Sequence, residues 1–360
     1  MSPALRLGDC GPEIAELRAR LDRLGLIRNS PGKDDFDTEI DAAVRSFQQQ
    51  RGLTVDGVVG SHTLRHLEEA RWQLGDRALS FTPGHLMRGD DVATLQRRLT
   101  HLGFDAGRID GIFGQQTDLA LRDFQRGVGV SADGTAGVET FRALDRLSRS
   151  VIGGEPERLR QHVLLDSLRT GISDKVIVLD AAHGGDDRGH CVGSLCEAEL
   201  VGDLVARIEG RLAALGTTVL LTRAAHGPVP SLTDVERANF ANETKADLLL
   251  SLHIDACESP RAAGVACFHY GVAKDGGWSH SGERAARRIH SAILNATDLD
   301  DCRVQHKTWE LLRLTKMPTV WIEAGYLSNP ADAARWADPV FIDDLAESIA
   351  SGIVAFFTPV

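Results

Sequence analysis

The stretch V-I-V-L-D-A-A-H-G-G, residues 176–185, decides the fold of the C-terminal half of the chain. Four apolar residues run into Asp180, and His183 stands before a pair of glycines. A short apolar run bounded by turn residues is typical of a strand buried on both faces. Because the glycines turn the chain sharply, we expect His183 at the C-terminal end of this strand, where open α/β sheets bind ligands.

Three more polar residues stand in similar settings further along the chain. Glu197 follows a cysteine, His253 lies in S-L-H-I-D, and Glu323 lies in W-I-E-A-G-Y-L-S-N. His253 and Glu323 also close apolar runs. Imidazole and carboxylate are donors that zinc binds in proteins. The pattern predicts an open zinc site at the ends of the strands.

From Lys175 onward, predicted strands alternate with predicted helices, which indicates a mainly parallel twisted sheet covered by helices on both faces. The predicted strands are residues 176–181, 217–222, 248–253, 265–269 and 319–323. The predicted helices are residues 198–215, 232–244, 282–295 and 339–356.

The N-terminal part contains one pattern twice. Leu17, Leu21, Gly25, Phe36, Phe47, Asp56 and Gly57 recur as Leu95, Leu99, Gly103, Phe113, Phe124, Asp133 and Gly134. The apolar residues follow helical spacing, which predicts three helices in each copy and a small all-α fold for both. The predicted domains are repeat 1 (1–75), repeat 2 (76–147), a linker with a short helix over 157–169 (148–174), and the α/β domain (175–360).

Composition and charge narrow the function classes. The 360 residues carry a net charge of −11, which argues against nucleic acid as a partner. No apolar run reaches the ~18 residues that a membrane span needs. The start M-S-P-A-L-R-L-G-D-C lacks the features of a secretory signal, so we expect a cytoplasmic protein. The six irregularly spaced cysteines favour reduced thiols; for Cys191 and Cys196 the alternative is a disulfide or redox role.

The two repeats resemble the peptidoglycan-binding domain 1 family. The matching motifs are G-D-x-G-x-x-I-x-x-L, A-V-R-S-F-Q and D-G-V-V-G in the first copy. The resemblance implies non-covalent binding of cell-wall glycopeptide in a groove between helices. Two copies could add avidity for a repeating polymer, or serve as protein-docking surfaces.

The C-terminal half resembles the zinc-dependent N-acetylmuramoyl-L-alanine amidases of the amidase 3 family. Its motifs occur in order, from V-L-D-A-A-H-G-G through A-D-L-L-L-S-L-H-I-D-A to I-E-A-G-Y-L-S-N-P-A-D. The resemblance implies Zn²⁺ as cofactor, with His183, Glu197 and His253 as its ligands and Glu199 as the less favoured alternative to Glu197. It implies that Glu323 is the catalytic general base and then general acid.

Two positions depart from the family pattern. Ala182 stands where the family has a glycine beside the metal, and Asp255 brings a negative charge near His253. The candidates for substrate binding are Arg237, Asn239 and Asp255. For Arg237 the alternative is an ion pair that stabilises the fold, and for Asn239 it is a capping or bracing role.

Two functions follow from these expectations. The first is an amidase-type zinc hydrolase that acts on or binds peptidoglycan or its muramyl-peptide precursors. The second is a non-catalytic cytoplasmic regulator, which uses the amidase fold to sense precursors and binds a cytosolic peptidoglycan-synthesis enzyme. The second follows from the expected location, because a hydrolase in the cytoplasm does not meet the wall.

Overall fold

The computed structural model describes residues 4–27, 34–148, 163, 165–227, 229–257, 259–272 and 277–359. The chain divides into two compact units, a helical N-terminal unit and an α/β C-terminal unit. The predicted fold class is confirmed for both. Within the described part of the chain, none of the helices is both long and apolar enough to cross a membrane.

The N-terminal unit contains both repeats, and the three helices predicted for each are confirmed. Repeat 1 consists of α1 (Pro12–Arg23), α2 (Thr38–Arg51) and α3 (Ser61–Glu69). Repeat 2 consists of β1 (Leu79–Ser80), α4 (Asp90–His101), α5 (Gln115–Val128), β2 (Thr135–Ala136) and α6 (Val138–Ser148). Each repeat buries its own apolar cluster, and the side chains of Leu21 and Leu99 are fully buried in their respective clusters.

A buried glutamine explains why the D-G dipeptide recurs in both repeats. The side-chain amide of Gln48, on α2, donates to Asp56 Oδ1 at 2.7 Å and to Thr63 Oγ1 at 3.2 Å. Its carbonyl oxygen accepts from the backbone N–H of Gly57 at 2.9 Å, where φ is 73°. A glycine adopts this left-handed conformation without steric cost. Gln125 makes the same contacts in repeat 2, with Asp133, Gly134 and Thr140.

The C-terminal unit is built on one six-stranded sheet. Its strands are β3 (Val176–Ala181), β6 (Thr218–Leu221), β7 (Leu248–Asp255), β8 (Val265–Tyr270), β9 (Asp301–Lys307) and β10 (Thr319–Tyr326). A separate hairpin contains β4 (Cys191–Val192) and β5 (Leu195–Cys196). The helices are α7 (Glu197–Ala214), α8 (Asp234–Glu243), α9 (His280–Ala296), α10 (Glu310–Leu314), α11 (Pro330–Trp336) and α12 (Pro339–Phe357).

The order of the strands across the sheet is β6-β3-β7-β10-β8-β9. The first four strands are parallel, β8 runs antiparallel to β10, and β9 is parallel to β8. One face of the sheet packs against α7, α9 and α12, and the other packs against α8 and α10. The mainly parallel sheet with helices on both faces is thus confirmed.

The five predicted strands and four predicted helices occur within a few residues of their expected positions. Strand β9 was not predicted, because D-C-R-V-Q-H-K is polar and forms an edge strand with an alternating exposure pattern. The short elements β4, β5, α10 and α11 were not predicted either.

The boundary predicted at residue 175 needs a correction. Leu165 and Leu168 pack in the core of the C-terminal unit, so this unit includes residues that the sequence assigned to the linker. Residues 165–168 are helical, in agreement with the end of the predicted linker helix. The remainder of that helix lies largely outside the described residues.

Candidate metal centre and active site

The alternation of side chains along three neighbouring strands places the site on one face of the sheet. On β3, β7 and β10, every second residue belongs to the apolar core under α7, α9 and α12. The intervening positions face α8 and α10, and they become polar toward the C-terminal ends of the strands. These polar positions are Asp180, Ser251, His253 and Glu323. Because the strands are parallel neighbours, their polar ends lie side by side.

His183, Glu197 and His253 come together as the sequence predicted. One donor atom from each residue lies within 4.8 Å of the other two. Glu197 Oε2 is 2.9 Å from His183 Nε2, and Glu197 Oε1 is 3.4 Å from His253 Nδ1. The Glu197 carboxylate therefore lies between the two imidazole rings.

His183 is oriented by its own loop. Its backbone has φ of 60°, an uncommon conformation for a residue with a side chain. Asp187 Oδ2 lies 2.8 Å from His183 Nδ1 and accepts its hydrogen, which leaves Nε2 to face Glu197. Burial lowers the pKa of His183, but hydrogen bonds to the Glu197 and Asp187 carboxylates outweigh burial and raise it.

His253 presents its other ring nitrogen, Nδ1, to Glu197. Its Nε2 is 3.0 Å from Ser251 Oγ, and Ser251 Oγ donates to Asp180 Oδ2 at 2.6 Å. Since the single hydroxyl hydrogen goes to Asp180, the oxygen of Ser251 accepts from His253 Nε2–H. Nδ1 of His253, which faces Glu197, then carries the lone pair that could bind a metal. The imidazole also stacks on the indole of Trp321, with ring centroids 3.6 Å apart.

Glu197 is the first residue of α7, and its side chain is 2% exposed. The backbone N–H of Ile254 donates to its Oε1 at 3.0 Å. Burial opposes its charge, but hydrogen bonds to His183 and His253 outweigh burial and hold its pKa far below the usual range. Glu199, the alternative ligand, is exposed and pairs with Arg188 at 2.5 Å. The geometry therefore favours Glu197.

The chemistry of the three donors fits a zinc ion. Two neutral imidazole nitrogens and one carboxylate oxygen form a known zinc-binding set, which leaves a coordination position open for chemistry. The non-coordinating nitrogens of both rings are hydrogen-bonded to Asp187 and Ser251, as is usual around metal-binding histidines. Across the described residues this is the one cluster of three such side chains with metal-binding spacing.

Glu323 lies beside this cluster and outside it. On β10 it pairs in register with His253 on β7. Burial, together with the nearby charge of Asp255, raises the pKa of Glu323 to about 8. A carboxyl group with a pKa near the working pH can both accept and donate a proton. The raised pKa is the property that the predicted role in proton transfer needs.

Several residues that shape the site were not predicted from sequence. Gly189 has φ of 64°, and a Cβ there would lie 2.6 Å from Glu197 Oε2 and 2.6 Å from His183 Cδ2. The glycine is therefore required for close packing of two ligands. His190, assigned no role from sequence, places Nδ1 3.2 Å from Glu197 Oε2. The sequence signal for these residues is the stretch H-G-G-D-D-R-G-H, in which small and polar residues cluster.

The structure supports a structural role for Arg237 instead of substrate binding. Its guanidinium is buried and bonds to the Asp180 carboxylate, to Ala181 O at 2.9 Å and to His183 O at 2.9 Å. Arg237 thereby holds the end of β3 in place. Asn239 is exposed on α8; the bracing contacts come from Asn242, which bonds to Leu314 O at 3.0 Å.

The two departures from the family pattern are accommodated differently. Ala182 is buried and has no positive φ, so its backbone conformation tolerates the Cβ. Asp255 ends β7, and burial raises the pKa of its carboxyl group. Its charge acts on Glu323, as the raised pKa of Glu323 shows.

For Cys191 and Cys196 the structure shows the alternative, a disulfide, instead of the favoured reduced thiols. Cys191 and Cys196 form a disulfide across the β4–β5 hairpin, where they are directly opposite one another. Sequence spacing did not show this pairing, because it depends on the register of a two-residue hairpin. Cys10, Cys257, Cys267 and Cys302 are free.

Comparison with known proteins finds a matching family for each of the two units. Residues 177–355 match the N-acetylmuramoyl-L-alanine amidase family, and residues 10–67 and 88–144 each match a putative peptidoglycan binding domain. The chain belongs to the N-acetylmuramoyl-L-alanine amidase family.

Among individual proteins, the chain is similar to the N-acetylmuramoyl-L-alanine amidase CwlM of Mycobacterium tuberculosis. The two are 43% identical over 97% of this chain and 88% of that protein. A germination-specific N-acetylmuramoyl-L-alanine amidase of Bacillus subtilis is 30% identical over 52% of this chain and 81% of its own length. The solved catalytic domain of CwlV, an amidase from Paenibacillus polymyxa, is 28% identical over 51% of this chain and 97% of its own, with a TM-score of 0.46.

Proposed function

We propose that this protein is a zinc-dependent amidase that hydrolyses the bond between N-acetylmuramic acid and L-alanine in peptidoglycan or its muramyl-peptide precursors. The observation that carries the proposal is the convergence of His183, Glu197 and His253, with Glu323 beside them. Membership of the amidase family supports the same reaction.

The three donor residues would hold the metal, each in a fixed orientation. Asp187 holds His183, Ser251 holds His253, and the N-terminus of α7 together with Ile254 holds Glu197. When bound, zinc supplies Lewis acidity for attack on an amide carbonyl. Because the protein fixes these side chains beforehand, little reorganisation is needed during the reaction.

Glu323 supplies the proton transfers that amide hydrolysis requires. As a carboxylate it takes a proton from the attacking water, and as a carboxylic acid it gives a proton to the leaving amine of L-alanine. Its raised pKa, about 8, brings both forms within reach near neutral pH. The positive charge of a bound zinc would lower this pKa and increase the basic form.

The repeats would bind the polymer that the C-terminal unit cleaves. Repeat 1 contains a cavity of about 640 Å³, whose lining includes Arg6, Leu17 and Arg20. It offers both apolar and charged groups, as a glycopeptide ligand requires. Two repeats in one chain would raise the effective affinity for a repeating polymer.

The test compares wild-type protein with Glu323→Gln and with Glu197→Gln on a muramyl pentapeptide. We expect about one zinc per chain and released L-alanine amine from the wild type. Glu323→Gln should keep zinc and lose turnover, whereas Glu197→Gln should lose zinc. Glu199→Gln changes an exposed neighbouring carboxylate and should behave as wild type. Zinc-loaded wild type that leaves the substrate intact, beside an active reference amidase, would overturn the proposal.

The cytoplasmic location and the role as a non-catalytic regulator stay predictions. Both rest on the composition of the N-terminal stretch, so cell fractionation of the full-length gene product is the direct measurement. Recovery of a peptidoglycan-synthesis enzyme with the cytosolic protein would favour the regulator. A secreted full-length protein would exclude it.

A further inference from the structure

We propose that Cys191 and Cys196 are positioning residues for Glu197, and that their disulfide makes metal binding dependent on the thiol redox state. The inference rests on the proposed zinc amidase function, because it concerns the same site. The disulfide ends at the residue directly before Glu197, and Glu197 lies between both histidines. A change at Cys196 is therefore one peptide bond away from the central ligand.

The disulfide joins two short segments that meet at the ligand. Backbone bonds tie the same segments together: Glu197 N–H donates to His190 O at 2.9 Å, and Ala198 N–H donates to Arg188 O at 3.2 Å. In return, His190 N–H donates to Glu197 Oε2 at 3.2 Å. The loop that precedes Cys191 thus holds both the backbone and the carboxylate of Glu197.

The hairpin has little to hold it without the bridge. Its strands β4 and β5 have two residues each, joined by the turn at Gly193 and Ser194, and they form a sheet of their own. An isolated two-stranded hairpin is marginally stable in water. Cys191, Val192, Gly193 and Ser194 are all exposed, so few side-chain contacts replace the bridge once it opens.

The two sulfurs differ in solvent exposure, and this difference decides which sulfur a reductant attacks first. Cys191 is exposed, whereas Cys196 is 2% exposed. A thiolate of a small dithiol, or of a dithiol oxidoreductase, attacks the Cys191 sulfur and displaces Cys196 as a thiolate, which takes up a proton. The second thiol of the reductant then attacks the mixed disulfide, closes its own disulfide and releases Cys191 as a thiol. Two electrons and two protons pass to the protein.

The consequence concerns the affinity for the metal. With the bridge open, no covalent cross-link joins the loop of Arg188, Gly189 and His190 to the start of α7. The backbone bonds, the His190 contacts with the Glu197 carboxylate and the exposed Arg188–Glu199 ion pair remain. Glu197 then samples positions away from the two imidazoles. Loss of such outer support typically weakens metal binding by about 10- to 100-fold. We expect the reduced protein to bind zinc about tenfold more weakly than the oxidised protein.

The experiment measures the dissociation constant of zinc for the full chain by competition with a chromophoric chelator. Oxidised protein, protein reduced with dithiothreitol and then freed of it under nitrogen, and reoxidised protein are compared. Cys191→Ser with Cys196→Ser should bind zinc weakly in every state. Cys257→Ser removes an exposed free thiol and should keep the full redox response. Mass spectrometry of unreduced peptides checks that the bridge joins Cys191 to Cys196.

Equal zinc affinity of the oxidised and reduced wild type overturns the inference, and so does absence of the bridge after mild oxidation. A lower melting temperature with unchanged zinc affinity shows a purely structural bridge and also overturns it. If the double serine variant does not fold, the comparison of zinc affinity between oxidised, reduced and reoxidised wild type still tests the inference. Redox-dependent zinc binding without cleavage of muramyl peptide would contradict the proposed function and support this inference. Cleavage with redox-independent zinc binding would support the proposed function and contradict this inference.

Discussion

His253 Nε2 lies 3.0 Å from Ser251 Oγ, on the side of the ring away from Glu197. Ser251 in turn donates to the buried Asp180, so a chain of two hydrogen bonds decides which nitrogen of His253 carries the hydrogen. Metal-binding histidines depend on such a partner to present the correct nitrogen.

Removing the hydroxyl should therefore weaken zinc binding. For Ser251→Ala we expect a loss of about tenfold to 100-fold in zinc affinity, because the imidazole can then adopt the other tautomer. The measurement is a zinc titration against a competing chelator. Thr222→Val is the matched control: Thr222 also donates to Asp180, at 2.5 Å, but to Oδ1 and not to Oδ2, the oxygen that Ser251 uses. Equal effects of the two substitutions would contradict this account.

Gly189→Ala should abolish tight zinc binding. The new Cβ would lie 2.6 Å from Glu197 Oε2 and 2.8 Å from His183 Nε2, so at least one ligand must move. Gly193→Ala is the control, because Gly193 has φ of 62°, close to the 64° of Gly189, and nothing lies within 4 Å of its Cβ position. Both variants carry a backbone cost of about 1–2 kcal/mol. Zinc content after dialysis should separate them, and equal zinc retention would show that the loop adapts.

Glu323 should make the stability of the metal-free protein depend on pH. Its pKa is about 8 in the folded protein against an ordinary value of 4.5, so the folded state binds the proton more tightly. The stabilisation is complete below pH 4.5 and is lost as the pH rises through 8. With chelator present, the free energy of unfolding of wild type should fall over this window relative to Glu323→Gln, by on the order of 1–3 kcal/mol. Urea denaturation at several pH values measures this, and parallel curves would contradict it.

Gln48→Ala should destabilise repeat 1. The substitution leaves the turn around Gly57 without the amide that binds Asp56, Thr63 and the Gly57 N–H. Unsatisfied buried polar groups cost about 1–3 kcal/mol each, so a loss in this range is expected. Gln49→Ala changes the adjacent, exposed glutamine of α2 and should stay within about 0.5 kcal/mol of wild type. Denaturant unfolding of the N-terminal unit within the full chain is the measurement; similar losses for both variants would contradict the role of Gln48.

The core elements could be predicted because their sequence signals are local and strong. The apolar runs of β3, β7 and β10 and the helical spacing in both repeats follow from burial and from the two backbone periodicities. The weaker elements could not be predicted from sequence, since β9 is a polar edge strand and α10 is a five-residue helix. Their formation depends on neighbours that are distant in sequence.

In the site, too, some features could be predicted from local sequence and others depend on residues that are distant in sequence. By itself, the sequence predicted the donors His183, Glu197 and His253 and the carboxyl of Glu323, with Glu199 as the alternative to Glu197, because each follows or closes a strand or begins a helix in a recognisable motif. Only the tertiary structure decided how those donors are oriented. The roles of Asp187, Ser251 and Gly189 depend on distances across loops and strands.

The tertiary structure also separated residues that look alike in sequence. Glu197 and Glu199 are two positions apart on α7, yet one is buried between imidazoles and the other is exposed with Arg188. Arg237 is a candidate for substrate binding from sequence, but its guanidinium bonds to the end of β3. Cys191 and Cys196 form a bridge because the hairpin register places them opposite one another. Burial and register are properties of packing between distant segments, and for that reason the linear pattern does not contain them.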